Sequence, residues 1–197
     1  MNDGLFHHAL AVPVSGDDHV QGPDSAAVTL VLYGDYQCPY TAALHQVVTR
    51  LQVRFGENLR YVFRHFPLFA KHPKAQLAAE TAEAASAQGK FWQMHAYLFQ
   101  AQYDFDRERL GAACSLLGLD YVRLDSDISN HVHLEHIQKD VAGAKSSGVA
   151  STPTLFVNGF MYDADDDFET LSRNVESLVP MTNEPKRRPF WRGLFGN

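Results

Sequence analysis

The stretch GDYQCPYTAALHQ, Gly34 to Gln46, sets a Cys-Pro pair where a strand-like run gives way to an amphipathic one. Upstream, VTLVLY (Val28–Tyr33) is nearly continuous in apolar residues and rich in β-branched ones, the pattern of a strand buried on both faces of a sheet. Downstream, Leu44, Val47, Val48, Leu51 and Phe55 recur at helical spacing until Gly56 ends the run. The expected order is therefore strand, turn, helix. Pro39 suits the first helical turn, because its missing N–H would have had no intrahelical partner there. Cys38 then falls at a helix N-terminus, where unpaired backbone N–H groups and the positive end of the macrodipole favour a thiolate over a thiol. The same cysteine read as a small buried hydrophobe is the plainer alternative.

Working outward, LRYVFRHF (Leu59–Phe66) reads as a second strand, completing a βαβ unit with a right-handed crossover. Residues 1–25 hold Gly and Pro without a clear period, and the expectation is an extended lead-in with no regular element before Val28. The middle of the chain is helical. Pro73 to Gln88 is alanine-rich, with Pro73 expected in the first turn and Gly89 past the end. Further helical patterns cover Lys90 to Gln100, Asp106 to Leu117, and one continuous stretch from Asp127 to Lys145. TLFVN (Thr154–Asn158) and FMY (Phe160–Tyr162) then flank Asn158–Gly159, a hairpin signal. Phe168 to Val179 predicts a last helix capped by Asp165, Asp166 or Asp167. The fold class is α/β, with a core over 26–66 and 149–179, an inserted helical subdomain over 67–148, and a tail over 180–197.

Length and composition set limits on function. The 197 residues, 45% hydrophobic and 20% charged, suit one globular domain. A formal charge of −6 disfavours a nucleic-acid partner, which requires a basic face. No apolar run approaches the ~20 residues of a membrane span, and the start MNDGLFHHALAVPV lacks the basic region of a signal peptide, so a cytoplasmic chain is expected. Two cysteines, Cys38 and Cys114, are too few for a disulfide framework.

Several separated segments agree with one another in order: DHVQGPDSAAVTLVLYGDYQCPY, YVFRHFPL, HPKAQLAAETAEAASAQGKFWQMH and SSGVASTPTLFVNG. Together they resemble the DsbA-type branch of the thioredoxin superfamily. They are especially similar to its domains found free or fused behind bacterial sodium/proton antiporters. The resemblance implies a thioredoxin fold carrying a helical insertion, a redox turn of Cys38, Pro39, Tyr40 and Thr41, and a cis-proline loop at Thr152–Pro153 facing the cysteine. It implies no bound cofactor, with glutathione as a possible co-substrate and protein thiols or disulfides as partners; an antiporter or membrane partner is left open. Two departures stand out. Thr41 occupies the place of the family's second cysteine, and Leu32 that of an acidic proton relay. Thr41 cannot resolve a mixed disulfide, though its hydroxyl can hydrogen-bond a Cys38 thiolate. The expectation is therefore a monothiol thiol-disulfide oxidoreductase or isomerase whose mixed disulfide is resolved from outside. A non-catalytic peptide-binding module and a glutathione-transferase-like enzyme are the alternatives. Asp35 is read as ordering the turn.

Other residues draw attention without deciding the function. Cys114 keeps helical spacing with Leu110 and Leu117 and reads as core. His131, His133 and His136 form HVHLEH; on a helix only His133 and His136 share a face, so the trio reads as a solvated polar face and no metal site is expected. The run DADDD reads as helix capping rather than a calcium loop. His65 and His72 flank the FPL loop, with cleft lining and ordinary packing both open. The tail, with Lys186, Arg187, Arg188 and Arg192 among Phe190, Trp191 and Phe195, suits a membrane surface or a partner groove, or else a flexible or self-docked end.

Overall fold

The computed structural model describes residues 6–102, 105–163 and 166–180. Chain order is β1 (Phe6–Ala9), β2 (His19–Gln21), β3 (Val28–Gly34), α1 (Pro39–Phe55), β4 (Leu59–His65), α2 (Ala75–Ser86), α3 (Phe91–Ala101), α4 (Arg107–Leu117), α5 (Tyr121–Ser129), α6 (Leu134–Ser146), β5 (Thr154–Val157), β6 (Phe160–Tyr162) and α7 (Phe168–Leu178). One sheet runs in the order β1-β6-β5-β3-β4-β2. Its β3 and β4 are parallel across the α1 crossover, and the remaining pairings are antiparallel.

Period-two alternation divides the sheet cleanly. Leu30 and Leu32 of β3 join Tyr61, Phe63, Leu155 and Val157 in one core, filled by Leu44, Val48 and Leu51 of α1, Ala78 and Ala82 of α2, Met94 and Leu98 of α3, and Leu171 and Val175 of α7. Val31 and Tyr33 face the other way, with Val62, Phe156 and Ala144 of α6. The helical insertion is thus split by the sheet: α2 to α5 build onto the α1 side, while α6 covers the opposite face. Burial of β3 on both faces is what its continuous apolar run required.

Three expectations are corrected. First, residues 1–25 are not a featureless lead-in, since they supply both edge strands, β1 and β2. These segments are only four and three residues long and carry polar side chains, so pairing at the sheet edge rather than a hydrophobic period holds them. The buried Arg64 anchors the same region, its guanidinium reaching both Asp18 carboxylate oxygens at 2.6 and 3.0 Å and the carbonyls of Val12 and Pro13 at 2.8 and 3.0 Å.

Second, the pattern expected to run unbroken from Asp127 to Lys145 is two helices, α5 and α6. His131 takes φ 53, and the N–H of Val132 returns to the Asp127 carbonyl, a left-handed helix end of the kind glycine usually supplies. Third, Pro73 lies outside α2, which begins at Ala75 after Lys74.

The Asn158–Gly159 hairpin forms as expected, with both residues at positive φ (49 and 85). Asp167 caps α7, its carboxylate accepting from the Glu169 and Thr170 N–H groups. Asp165 and the tail residues 181–197 lie outside the described residues. None of the described helices is long and apolar enough to cross a membrane.

Candidate active site

The C-terminal ends of β3 and β4 place the site. Gly34 closes β3 opposite His65, the last residue of β4. A side chain at Gly34 would meet Phe63 at 2.5 Å and the Thr41 methyl at 2.8 Å, so glycine there lets the start of α1 sit directly on the sheet. The turn that follows is organised by Asp35, which is buried. One of its oxygens accepts from the Gln37 N–H at 2.8 Å; the other accepts from the Leu68 N–H and from His72 Nδ1, both at 2.8 Å. Gln37 in turn accepts from the Lys74 N–H at 2.9 Å. Asp35 thereby orders the turn, as its position suggested, and ties it to the loop that opens the helical insertion.

Cys38 is the N-cap of α1 with Pro39 behind it, and the residue is 3% exposed. Its sulfur makes no capping bond to the helix; the thiol donates to the Thr152 carbonyl at 3.4 Å. The Thr152–Pro153 bond is cis, so the cysteine faces the cis-proline loop. Tyr40 projects outward, 73% exposed, while Thr41 is fully buried, its hydroxyl accepting from the Asp35 N–H at 3.5 Å and keeping its own proton to donate. Gln102 Nε2 donates to the Cys38 carbonyl at 3.5 Å, a contact from the far end of α3 that no motif signalled.

Beneath the turn, Leu32 is fully buried, paired with Phe63 and Leu155 in the apolar core. Cys114 is also free and buried in that core, and burial together with the Asp120 charge raises its thiol pKa. On the helical side the Tyr36 hydroxyl and His95 Nδ1 share a hydrogen bond at 2.9 Å, and His95 Nε2 lies 3.3 Å from His45 Nδ1. Burial holds Tyr36 well above the usual phenol range, drives His95 well below the usual imidazole range, and pushes His45 down to about 4. Tyr36, His95 and His45 thus form a row of hydrogen-bonded groups without a charge.

The histidines flanking the FPL loop diverge. His72 belongs to the Asp35 network, whereas His65 Nε2 donates to Glu83 Oε1 at 2.7 Å and its backbone N–H to Asp140 at 2.8 Å. His19 shares the same Glu83 oxygen at 2.6 Å. Burial by itself would raise the Glu83 carboxyl, but hydrogen bonds from His19 and His65 and the charges of those rings overcome it and hold it well below the usual carboxylate range. The HVHLEH trio is dispersed: His131 meets Glu80 at 2.7 Å, His133 meets Asp127 at 3.3 Å, and His136 lies 3.9 Å from both Glu83 and Asp140. The one available signal for the Glu83 cluster was a pair of glutamates, Glu80 and Glu83, inside an otherwise small and apolar helix.

A family model described as Thioredoxin matches residues 14–177. The chain belongs to the thioredoxin family. The architecture of this family member is that of DsbA-like proteins: oxidised BdbD from Bacillus subtilis superposes with a TM-score of 0.76 at 22% identity, over 90% of this chain and 98% of that one. Wolbachia pipientis alpha-DsbA1 gives 0.73 at 18%, over 86% and 94%. A thioredoxin-like oxidoreductase from Silicibacter pomeroyi gives 0.69 at 26%, over 83% and 92%. Curated relatives carry another kind of name. The Na(+)/H(+) antiporter NhaA 1 of Salinispora arenicola is 42% identical over 91% of this chain, and the NhaA of Herminiimonas arsenicoxydans is 38% identical over 85%. The chain spans only 28% and 27% of the length of those two relatives.

Proposed function

We propose that this thioredoxin-family chain is a monothiol thiol-disulfide oxidoreductase acting through Cys38 on glutathione or protein mixed disulfides. The observation that carries the reading is the Cys38 thiol at the α1 N-cap, hydrogen-bonded at 3.4 Å to the Thr152 carbonyl, with buried Thr41 where a resolving thiol would stand. The DsbA-like neighbours support the general chemistry. In the resting thiol, S–H donates to Thr152. Loss of that proton frees the carbonyl and leaves an anion that the unpaired N–H groups of the first turn of α1 attract. The released carbonyl then accepts an N–H from an extended substrate backbone, as in strand addition.

With a glutathionylated protein, the Cys38 thiolate attacks the glutathione sulfur, the old S–S bond breaks, and the protein thiolate leaves. A second glutathione thiolate attacks the Cys38–glutathione disulfide, returning Cys38 and releasing oxidised glutathione. The net change is one protein thiol freed and one glutathione disulfide formed per two glutathione units. Two free cysteines and the need for an outside thiol suit the cytoplasm, where glutathione is abundant. Because the curated relatives are named as antiporters, a sodium/proton antiporter is the first macromolecular partner to test.

The test is mass spectrometry of the reduced chain exposed to a glutathionylated peptide. A glutathione adduct on Cys38 that free glutathione discharges, with catalytic release of the peptide thiol, supports the proposal. Failure of Cys38 to form the adduct while the chain still retains extended peptides would overturn it in favour of a peptide-binding module, a reading that the buried Leu32 and nearly buried Cys38 favour. Conjugating activity that persists in Cys38→Ala would point instead to a transferase.

A further inference from the structure

We propose that His19, Glu83 and His136 form a site for a divalent transition-metal ion of the zinc class, separate from the Cys38 turn. One ligand atom from each of His19, Glu83 and His136 lies within 4.8 Å of the other two. Two imidazole nitrogens and a carboxylate oxygen are donors that zinc accepts, whereas calcium and magnesium take oxygen. Ligands at 2.0–2.2 Å around a tetrahedral ion stand roughly 3.3 Å apart. The present separations from Glu83 are 2.6 Å for His19 and 3.9 Å for His136, so relative to that oxygen each ring has to move by less than about an ångström. His136 can do so, being on the first turn of α6 with its side chain 30% exposed.

The surroundings hold the ligands in place. The His19 ring stacks on Phe91, with centroids 3.4 Å apart and planes 8° from parallel. The His65 ring N–H holds Glu83 Oε1 at 2.7 Å, an outer contact of the kind that orients metal ligands. Asp140, 3.9 Å from His136 Nε2, is placed to serve as the fourth donor. A cleft of about 560 Å³ lined by Asp18, Arg64, His136, Lys139 and Asp140 reaches the site at His136. Coordination through Nε2 takes the neutral His19 tautomer with its proton on Nδ1, so the ion takes the place of the present Nε2 contact with Glu83. The bound ion would tie β2, α2 and α6 together, joining the sheet edge to both parts of the helical insertion.

The experiment is equilibrium dialysis of the full chain against zinc chloride in a Cys38→Ser background, which removes the thiol of the active-site turn. Cobalt chloride serves as a second probe, for the intense visible absorption of four-coordinate Co²⁺. The expected result is one ion per chain, a melting temperature that rises and saturates with zinc, and affinity lowered at least ~10-fold by His136→Gln. His133→Gln, whose ring meets Asp127 instead, should leave affinity unchanged. His19→Gln serves as the second ligand variant if His136→Gln loses the wild-type circular dichroism. Absence of binding, or binding that His136→Gln and His19→Gln do not weaken, or that His133→Gln weakens equally, would overturn the site and mark any uptake as adventitious.

Discussion

The Cys38 turn and the Glu83 cluster both lie toward the C-terminal end of β4, yet they are built in opposite ways. The turn draws Gly34, Asp35, Gln37, Cys38, Pro39 and Thr41 from one short run of sequence, and the distant groups Leu68, His72, Lys74, Gln102 and Thr152 attach to it by hydrogen bonds. The cluster draws His19 from β2, His65 from β4, Glu83 from α2 and His136 from α6, each from a different element. A site made by local backbone geometry can lose its reactive group with little harm to the fold. A site made by packing distant elements couples each of its groups to stability.

The sharpest break of that contrast is Cys38→Ala. Exchange with a glutathionylated peptide should fall by ~100-fold or more, with the thermal midpoint hardly moved. Thr41→Cys should act in the other direction: a disulfide between Cys38 and the introduced thiol should form, detectable by mass, and bound glutathione should be expelled without added thiol. If Thr41→Cys leaves glutathione discharge dependent on outside thiol, the position of Thr41 relative to the sulfur is not that of a resolving group.

Glu83→Ala should reverse the pattern, leaving the exchange chemistry of Cys38 in place while costing about 3–5 kcal/mol, since it strands the largely buried His19 and His65. Urea denaturation measures this. The folded Glu83 carboxyl is depressed relative to an unfolded value near 4.5, so its contribution is complete above that value and is lost as pH falls below it. Glu83→Gln should therefore flatten the acid limb of a stability–pH curve. Asp35→Ala tests the boundary between the two regions. It removes the hydrogen bonds that a buried carboxylate accepts from Gln37, Leu68 and His72, at a cost of about 3 kcal/mol. Unlike Glu83→Ala, it should also slow exchange, because the turn is what those bonds order.

The smallest effect belongs to His45. Burial pushes its folded pKa down to about 4 from 6.5, so the unfolded chain binds the extra proton between those values. Stability should decline as pH falls from 6.5 toward 4, by at most ~2 kcal/mol at pH 5. His45→Gln should reduce that slope without affecting exchange at neutral pH, leaving the part that the buried His95 supplies. An unchanged slope would assign the acid sensitivity in that range to His95, which burial also holds below the usual imidazole range.

Legibility followed the same division. The β3–α1 junction, β4, the Asn158–Gly159 hairpin and the Asp167 cap could be read because each rests on contacts between near neighbours in sequence: apolar period, proline position, positive-φ turn residues, a side chain folding back on its own helix. The edge strands β1 and β2 could not, as short polar segments take strand form from the partner they pair with. The break between α5 and α6 was hidden because His131, rather than glycine, adopts the left-handed conformation that ends α5. By itself, then, the sequence determined that a cysteine would stand at a helix N-terminus beside a buried parallel strand, with threonine in place of a second thiol. Only the tertiary structure decided that its sulfur donates to Thr152, and that His19, His65 and His136 gather around Glu83. Such contacts join residues up to 114 positions apart, as Cys38 and Thr152 are, and are set by how sheet and helices pack, which no local pattern encodes.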